Sequence, residues 1–485
     1  MKTILSTLLL IGILNVNAQG NVFLSGKFWD QTTSVDDVKT AIKNGNDPSE
    51  FNAFNFDATT YAILNNSPLE TIEFLLKIEG NEVSKITHDA RNYLMWAGNK
   101  GNFELVESLI KKGSDIHILD DKGNNLQTFT AMGGTLDPRI YELYKQYGLQ
   151  LSAPNRKGGT IIHYLAQNVE DIKDFDYFIS EGLDITAKDN DNNTVLHYAA
   201  SQGKMKLIEQ LISAGFDPNA RNNNNEHILF FAARGKRGFQ CQSLYIQYLT
   251  ELGLDATLTN KQGDNLLHAV AINNTDPSVF RFIIKQGADV QKVNNYGNTP
   301  LMNAAIRNNE IGIEVLYDLT KEKFLVNTEG YSLLTYGLRS QNKGLVERSL
   351  KDGADFTLVD QKEDNLITHL VATYKDNSLD YFTHYFNVLQ TKNVAVQNHT
   401  LHIATSKESE TLVNLLTEAG VDINATNSEG LTPLQLAAMK GDHPSFIKFL
   451  IGKGADKNVV TDFDESIYEL AKSNELLEGN LEFLK

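Results

Sequence analysis

The residues best suited to chemistry in this chain are its histidines, a run of acids and amides, and one thiol. Four of the 11 histidines, His163, His197, His268 and His402, each stand directly after an aliphatic residue, three places into an Ala-rich segment. His384 and His399 lie elsewhere, with no ligand-type spacing around them. Asp189-Asn190-Asp191-Asn192-Asn193 resembles the start of a calcium loop, but that loop needs Gly at its sixth place and an acid at its twelfth. Here those places hold Thr194 and Ala200. The acid pairs Asp36-Asp37 and Asp120-Asp121 fall at expected helix starts or turns, with no second acid placed opposite them. Cys241, the single cysteine, has no resolving partner, so it reads as a packed thiol rather than a nucleophile. Phosphate-binding Gly loops, Gly-x-Ser-x-Gly turns and Cys-x-x-Cys pairs do not occur. The sequence therefore predicts no catalytic residue, no metal site and no cofactor.

These residues sit in a repeating frame. Residues 192–220 show it best. Thr194 can cap a helix carrying Leu196, Ala199 and Ala200 on one face. Gly203 suits a turn, and Leu207, Ile208, Leu211 and Ile212 recur at helical spacing until Gly215. Two helices this short cannot enclose a core, so the unit must stack on copies of itself. With Leu196 as register mark, copies fall at Thr60, Leu94, Leu126, Ile162, Leu229, Leu267, Leu301, Leu334, Ile367, Leu401, Leu434 and Ile467, in steps of 32 to 38 residues.

A helix-pair period near 33 is that of ankyrin arrays, and the residues resemble the ankyrin family directly. Its Thr-Pro-Leu-His-x-Ala-Ala signature appears as Thr299–Ala305 and Thr432–Ala438, and its Gly-Ala-Asp at Gly287–Asp289, Gly353–Asp355 and Gly454–Asp456. The resemblance implies an all-α ankyrin-repeat solenoid of paired antiparallel helices with short β-turn fingers, about 13 repeats plus caps. It also implies that the four recurring histidines bond backbone groups and tie neighbouring repeats together. Equivalent rings one helix-packing distance apart, roughly 10 Å, are too far to share an ion with ligands at about 2 Å.

Lys plus Arg number 44 against 61 Asp plus Glu, a net charge of −17. That balance disfavours nucleic acid and anionic membranes as general partners. Lys2, the apolar Ile4–Leu14 and the small residues Val16 and Ala18 have the pattern of a signal peptide over 1–18, cleaved between Ala18 and Gln19. Export without disulfides suits a bacterial periplasm, with secretion as the alternative. The expected organisation is a signal peptide at 1–18, an N-terminal segment and half-repeat cap at 19–56, the repeat array at 57–463, and a C-terminal capping repeat at 464–485. Glu475, Glu478 and Glu482 charge the outer surface of that last repeat.

Function should lie where the copies differ. The step from Leu229 to Leu267 is longest because of Arg234-Gly235-Lys236-Arg237-Gly238-Phe239-Gln240, a basic, Gly-rich loop that is either a binding feature or a tolerated insertion. Segments 124–150 and 364–395 fit the repeat poorly. In the second, the i, i+4 pairs Tyr381–Tyr385 and Phe382–Phe386 favour a wide buried face, with tyrosine edges left as contact surface. Finger tips vary, as at Tyr296. Candidate protein-binding residues are thus Arg234, Lys236, Arg237, Phe239, Tyr296, Tyr381 and Tyr385. The reading is a monomeric, non-catalytic scaffold or chaperone-like partner that binds one or more proteins in the bacterial envelope, without stable membrane insertion. Alternatives are an inhibitor or immunity protein against a toxin or enzyme, an oxidative-stress accessory working with a catalase (which the resemblance allows), an exported effector, and a hydrolase using concave-face carboxylates.

Overall fold

The computed structural model describes residues 20–236, 238–477, 479 and 481–485. The expected signal peptide with Ala18 and Gln19, together with Arg237 and Glu478, lies outside them. The described residues form helices joined by turns, with isolated bridges in place of β-strands. They divide into two compact units at Asn223/Asn224.

Each repeat is built as its residues require. The first helices are short, from five residues (Ile161–Leu165) to eight (Pro433–Lys440), too short to persist without packing. Polar residues fix their starts: Asn92 accepts the Met95 amide, Asn125 that of Thr128, and Thr299 that of Met302. In the first unit, Tyr93–Asn99 packs between Ala58–Leu64 and Leu126–Met132. In the second, Pro300–Ile306 packs between Leu266–Ala271 and Leu333–Arg339. Most second helices end at glycines in the left-handed region, as at Gly215 (φ 96°) and Gly353 (φ 89°), and Leu379–Thr391 at Asn393 (φ 61°).

The fingers share a mechanism that the sequence carries in the Asp or Asn of links such as Asp120–Gly123, Asn294–Gly297 and Asn427–Gly430. At most finger bases an Asp or Asn accepts the amides two and four residues on, and at 461–465 Thr461 does the same. Asp189 takes those of Asp191 and Asn193, Asn294 those of Tyr296 and Asn298, and Asn327 those of Glu329 and Tyr331. This is the Asx-turn geometry that lets a short side chain stand in for backbone. Successive fingers then bond to each other. In the first unit Arg156 N–H reaches Gly123 O and Asn190 N–H reaches Lys157 O, at 2.9 and 3.0 Å. In the second, Asn295 N–H reaches Gln262 O and Thr328 N–H reaches Tyr296 O, at 2.8 and 2.9 Å. At the irregular repeat near 395 a side chain takes over: Gln397 Nε2 donates to Glu363 O at 2.7 Å.

The N-terminal segment packs Phe23 and Trp29 together in the interior, and helix Val35–Lys43 starts with a Ser34–Asp37 capping box. Asp37 of the acid pair at 36–37 is therefore a helix-start residue. Asp120 of the second pair is buried against Arg91.

Candidate functional site

The recurring histidines are backbone ligands. Asn265 N–H donates to His268 Nδ1 at 3.2 Å, and the opposite nitrogen bonds Asn298 O, in the next repeat, at 3.0 Å. His402 Nε2 reaches Leu431 O at 2.8 Å. Thr160 and Thr194 donate their amides to His163 and His197, which stand where a capping box carries Glu or Gln. Burial depresses the pKa of His163, His268 and His402 below the ordinary histidine value. Neutral rings suit the bonds in which Nδ1 accepts the Thr160 and Thr194 amides.

Of the proposed contact residues of the insertion, Arg234 and Phe239 are engaged within the fold, while Lys236 is exposed. Arg234 makes two bonds to the buried Glu226 carboxylate, at 2.7 and 2.6 Å, and lies over Phe231. Glu226 is held below the usual carboxylate range by Arg234, against the upward pull of burial. Lys236 and Phe239 close a tight turn by backbone bonds, and the half-buried Phe239 ring meets Tyr245 edge-on. Both ends of the insertion are fastened to the neighbouring repeat: Asn273 Nδ2 donates to Arg234 O and Asn274 Nδ2 to Cys241 O. Arg234, Phe239 and Cys241 thus form a packed corner. Cys241 beneath it is 1 % exposed, and burial pushes its thiol up to about 12.

The aromatic helix Leu379–Thr391 is mainly interior. Phe382, Tyr385 and Phe386 are buried, and both i, i+4 pairs make ring contacts, at 4.6 Å for Tyr381–Tyr385 and 5.4 Å for Phe382–Phe386. Tyr385, 1 % exposed, offers no contact surface. Tyr381 is half-buried with its hydroxyl donating to Gly337 O.

Tyr296 has a different setting. It is 57 % exposed at the tip of its finger, on the wall of a cleft of about 460 Å³ in the second unit. The next finger supplies Glu329 and Tyr331, and the ends of helices Pro300–Ile306 and Leu333–Arg339 supply Ile306 and Arg339. Tyr336, one turn before Arg339, anchors the floor: its hydroxyl accepts from Asn327 Nδ2 at 2.8 Å and its ring meets Tyr331 edge-on. Arg339 lies over the Tyr331 ring at 5.1 Å, and its Nη1 donates to His369 Nδ1 at 3.1 Å. His369 in turn faces the buried Asp360 at 3.4 Å through its other nitrogen. Burial, then the Arg339 charge, lowers the His369 pKa. The guanidinium is thus oriented by a neutral ring and an aromatic face, and among the described residues no carboxylate forms an ion pair with it. Tyr and Arg on such a wall are the side chains that dominate protein interfaces. The sequence signalled only Tyr296. Tyr331 and Arg339 depart from the repeat consensus as well, but only the stacking of fingers on helix ends brings them together.

A second group also joins neighbouring repeats. Glu408, Asp442 and His443 stand at equivalent inter-helix turns, and one ligand atom from each lies within 4.8 Å of the other two. A separation of 34 residues, one repeat period, hides this cluster from any local motif.

Comparison with known proteins agrees with the fold. A family model described as ankyrin repeats (3 copies) matches at 129–222, 162–260, 229–328 and 266–360, and one described as ankyrin repeats (many copies) matches at 401–451. Together they span more than half of the chain, which belongs to the ankyrin-repeat family. Curated relatives include the palmitoyltransferase AKR1 of Lachancea kluyveri, 29 % identical over 23 % of this chain and 16 % of that protein. A putative palmitoyltransferase ZDHHC13 of Danio rerio is 27 % identical over 39 % of this chain and 30 % of its own length. The putative ankyrin repeat protein FPV031 of Fowlpox virus is 26 % identical over 28 % and 40 %. The chain thus spans less than half the length of each. Among solved structures, the human ASB11 ankyrin repeat domain is 17 % identical with a TM-score of 0.33, covering 46 % of this chain and 98 % of that one. A chain of the complex between the Bd0816 predatory endopeptidase of Bdellovibrio bacteriovorus and immunity protein Bd3460 is 22 % identical with a TM-score of 0.30, covering 40 % and 96 %. Ankyrin arrays are generally non-catalytic protein-binding scaffolds, and this chain carries such an array. No helix among the described residues is long and apolar enough to cross a membrane.

Proposed function

We propose that this chain captures a protein partner in the cleft walled by Tyr296, Tyr331 and Arg339, and that it does no chemistry on what it holds. One observation carries the reading: an arginine held over a tyrosine face, without a carboxylate partner among the described residues, in a chain of net charge −17. The matching ligand is a segment offering a carboxylate beside an apolar side chain, the first for Arg339 and the second for Tyr296 and Ile306. The fingers and helix ends are already braced, so little ordering entropy opposes binding. The signal-like pattern of residues 1–18 supports placing this scaffold in a bacterial envelope, where fractionation and a mature N-terminus at Gln19 are the expected results.

A photo-crosslinker at Tyr331 would capture the partner, whose affinity is then measured with purified proteins. Tyr296→Ala and Arg339→Ala should each weaken binding by about tenfold or more, with circular dichroism unchanged. A partner that binds the double variant as tightly as the parent chain removes the cleft from consideration. A second reading, an inhibitor or immunity protein, draws on the acid excess, which suits a basic enzyme as target. Stoichiometric loss of the captured partner's own activity would select it over a passive scaffold.

A further inference from the structure

The turns linking the two helices of adjacent repeats converge at one point of the second unit. Glu408 follows helix Thr400–Ser406 with φ 49°, and Asp442 and His443 follow helix Pro433–Lys440. Glu408 Oε1 accepts the Asp442 amide at 2.9 Å, which fixes the carboxylate against the neighbouring turn. Its Oε2 lies 2.5 Å from His443 Nδ1, and Asp442 Oδ1 closes on the same nitrogen. A ring nitrogen carries one hydrogen at most. It can satisfy one of these two anionic oxygens fully, while the other meets it across a contact better suited to a cation.

We propose that Glu408, Asp442 and His443 form a binding site for a divalent transition-metal ion of the Zn²⁺ type, with Glu408 Oε2, Asp442 Oδ1 and His443 Nδ1 as ligands. Donors about 2.0–2.2 Å from one tetrahedral ion stand roughly 3.4 Å apart, so His443 Nδ1 must draw back by about 1 Å from both carboxylate oxygens. The side chains can give this, since those of Asp442 and His443 are 61 % and 67 % exposed. The 18 % exposed Glu408 serves as the fixed post. One imidazole with two carboxylates favours borderline ions over calcium or magnesium, which take oxygen ligands. The site opens on a cleft of about 700 Å³ that leaves the remaining coordination to water. Lys407 and Lys440 also line that cleft and moderate the pull on a cation. Because Glu408 comes from one repeat and the other two ligands from the next, the ion would clip neighbouring repeats together. This role is separate from partner capture at Tyr296.

The test uses the full, tag-free chain after chelator treatment. Titration with Co²⁺ should give visible d–d absorption that saturates at one equivalent and disappears when Zn²⁺ is added. His443→Ala and Glu408→Gln should each weaken Co²⁺ binding at least tenfold, whereas His384→Ala and Tyr296→Ala should leave it unchanged. Zn²⁺ should raise the thermal midpoint of the parent chain but not of the His443→Ala/Glu408→Gln variant. Co²⁺ binding that survives both substitutions, displacement by equimolar Mg²⁺, or no saturable absorption would each overturn the assignment. Circular dichroism of the variants shows that a lost signal is not lost structure, and the Tyr296→Ala control separates failure here from failure of the cleft.

Discussion

Replacing His268 by alanine tests whether the recurring histidines lock one repeat to the next. The ring is 1 % exposed, takes the Asn265 amide on Nδ1, and bonds Asn298 O in the following repeat with its other nitrogen. Its removal leaves a buried amide and a buried carbonyl without these partners, each costing about 1–3 kcal/mol, and opens a void beside them. Partial relaxation offsets some of that, so a loss of about 3 kcal/mol is expected. The same variant carries a pH signature. Burial lowers the His268 pKa in the fold, so the unfolded chain binds the proton more readily. The ring's contribution is therefore complete above the unfolded value of about 6.5 and is lost as pH falls toward the folded one. For one histidine this amounts to at most about 1.4 kcal/mol per pH unit. The gap between parent and variant should narrow between about pH 7.5 and pH 5.5. Urea unfolding followed by far-UV circular dichroism reads both quantities, and hydrogen exchange over Leu266–Ala271 and Pro300–Ile306 localises them. Both tryptophans, Trp29 and Trp96, lie in the first unit, so their fluorescence would not report this change. A gap below about 1 kcal/mol would refute the bridging role. A gap that widens in acid would show that the folded ring prefers its proton.

Two further outcomes follow from buried groups. Arg91 bonds Asp120 through Nε and Nη2 at 3.0 and 2.8 Å and lies over the Trp96 and Phe129 rings. Arg91→Ala strands a buried carboxylate and should cost about 3–5 kcal/mol, read as a lower urea midpoint by Trp96 fluorescence; an unchanged midpoint would mean that the pair adds nothing. The Cys241 thiol, buried and pushed up to about 12, should resist a water-soluble disulfide reagent in the native chain and react fully in urea. Rapid native labelling would show that the corner at 234–240 opens readily.

Much of the fold was legible because its information is local and repeated. Thr194, Gly203 and Gly215 specify a cap, a turn and a stop from adjacent residues, and a period near 33 multiplies that signal. The pairing of Phe382 with Phe386 was also visible, since helical spacing alone puts them on one face. The finger bonds were half visible. An Asp or Asn before most tips can be seen in the sequence, but its acceptance of two amides is a backbone geometry.

The candidate site was read poorly for a physical reason. Exposure and partnership depend on what packs across from a residue, one repeat or more away. Arg234 and Phe239 look available as a basic, Gly-rich insertion, yet Glu226 and Tyr245 occupy them. Arg339 looks like an ordinary charge at a helix end until Tyr331 and His369 fix its guanidinium at a cleft. Glu408 and His443 meet because their turns hold the same place in successive repeats. The sequence by itself therefore determined the helix pairs, their caps and the stacking rule, all set by contacts within one period. The tertiary structure alone decided which exceptions to that rule are buried, which are braced, and which are brought together, because those outcomes depend on distances between periods.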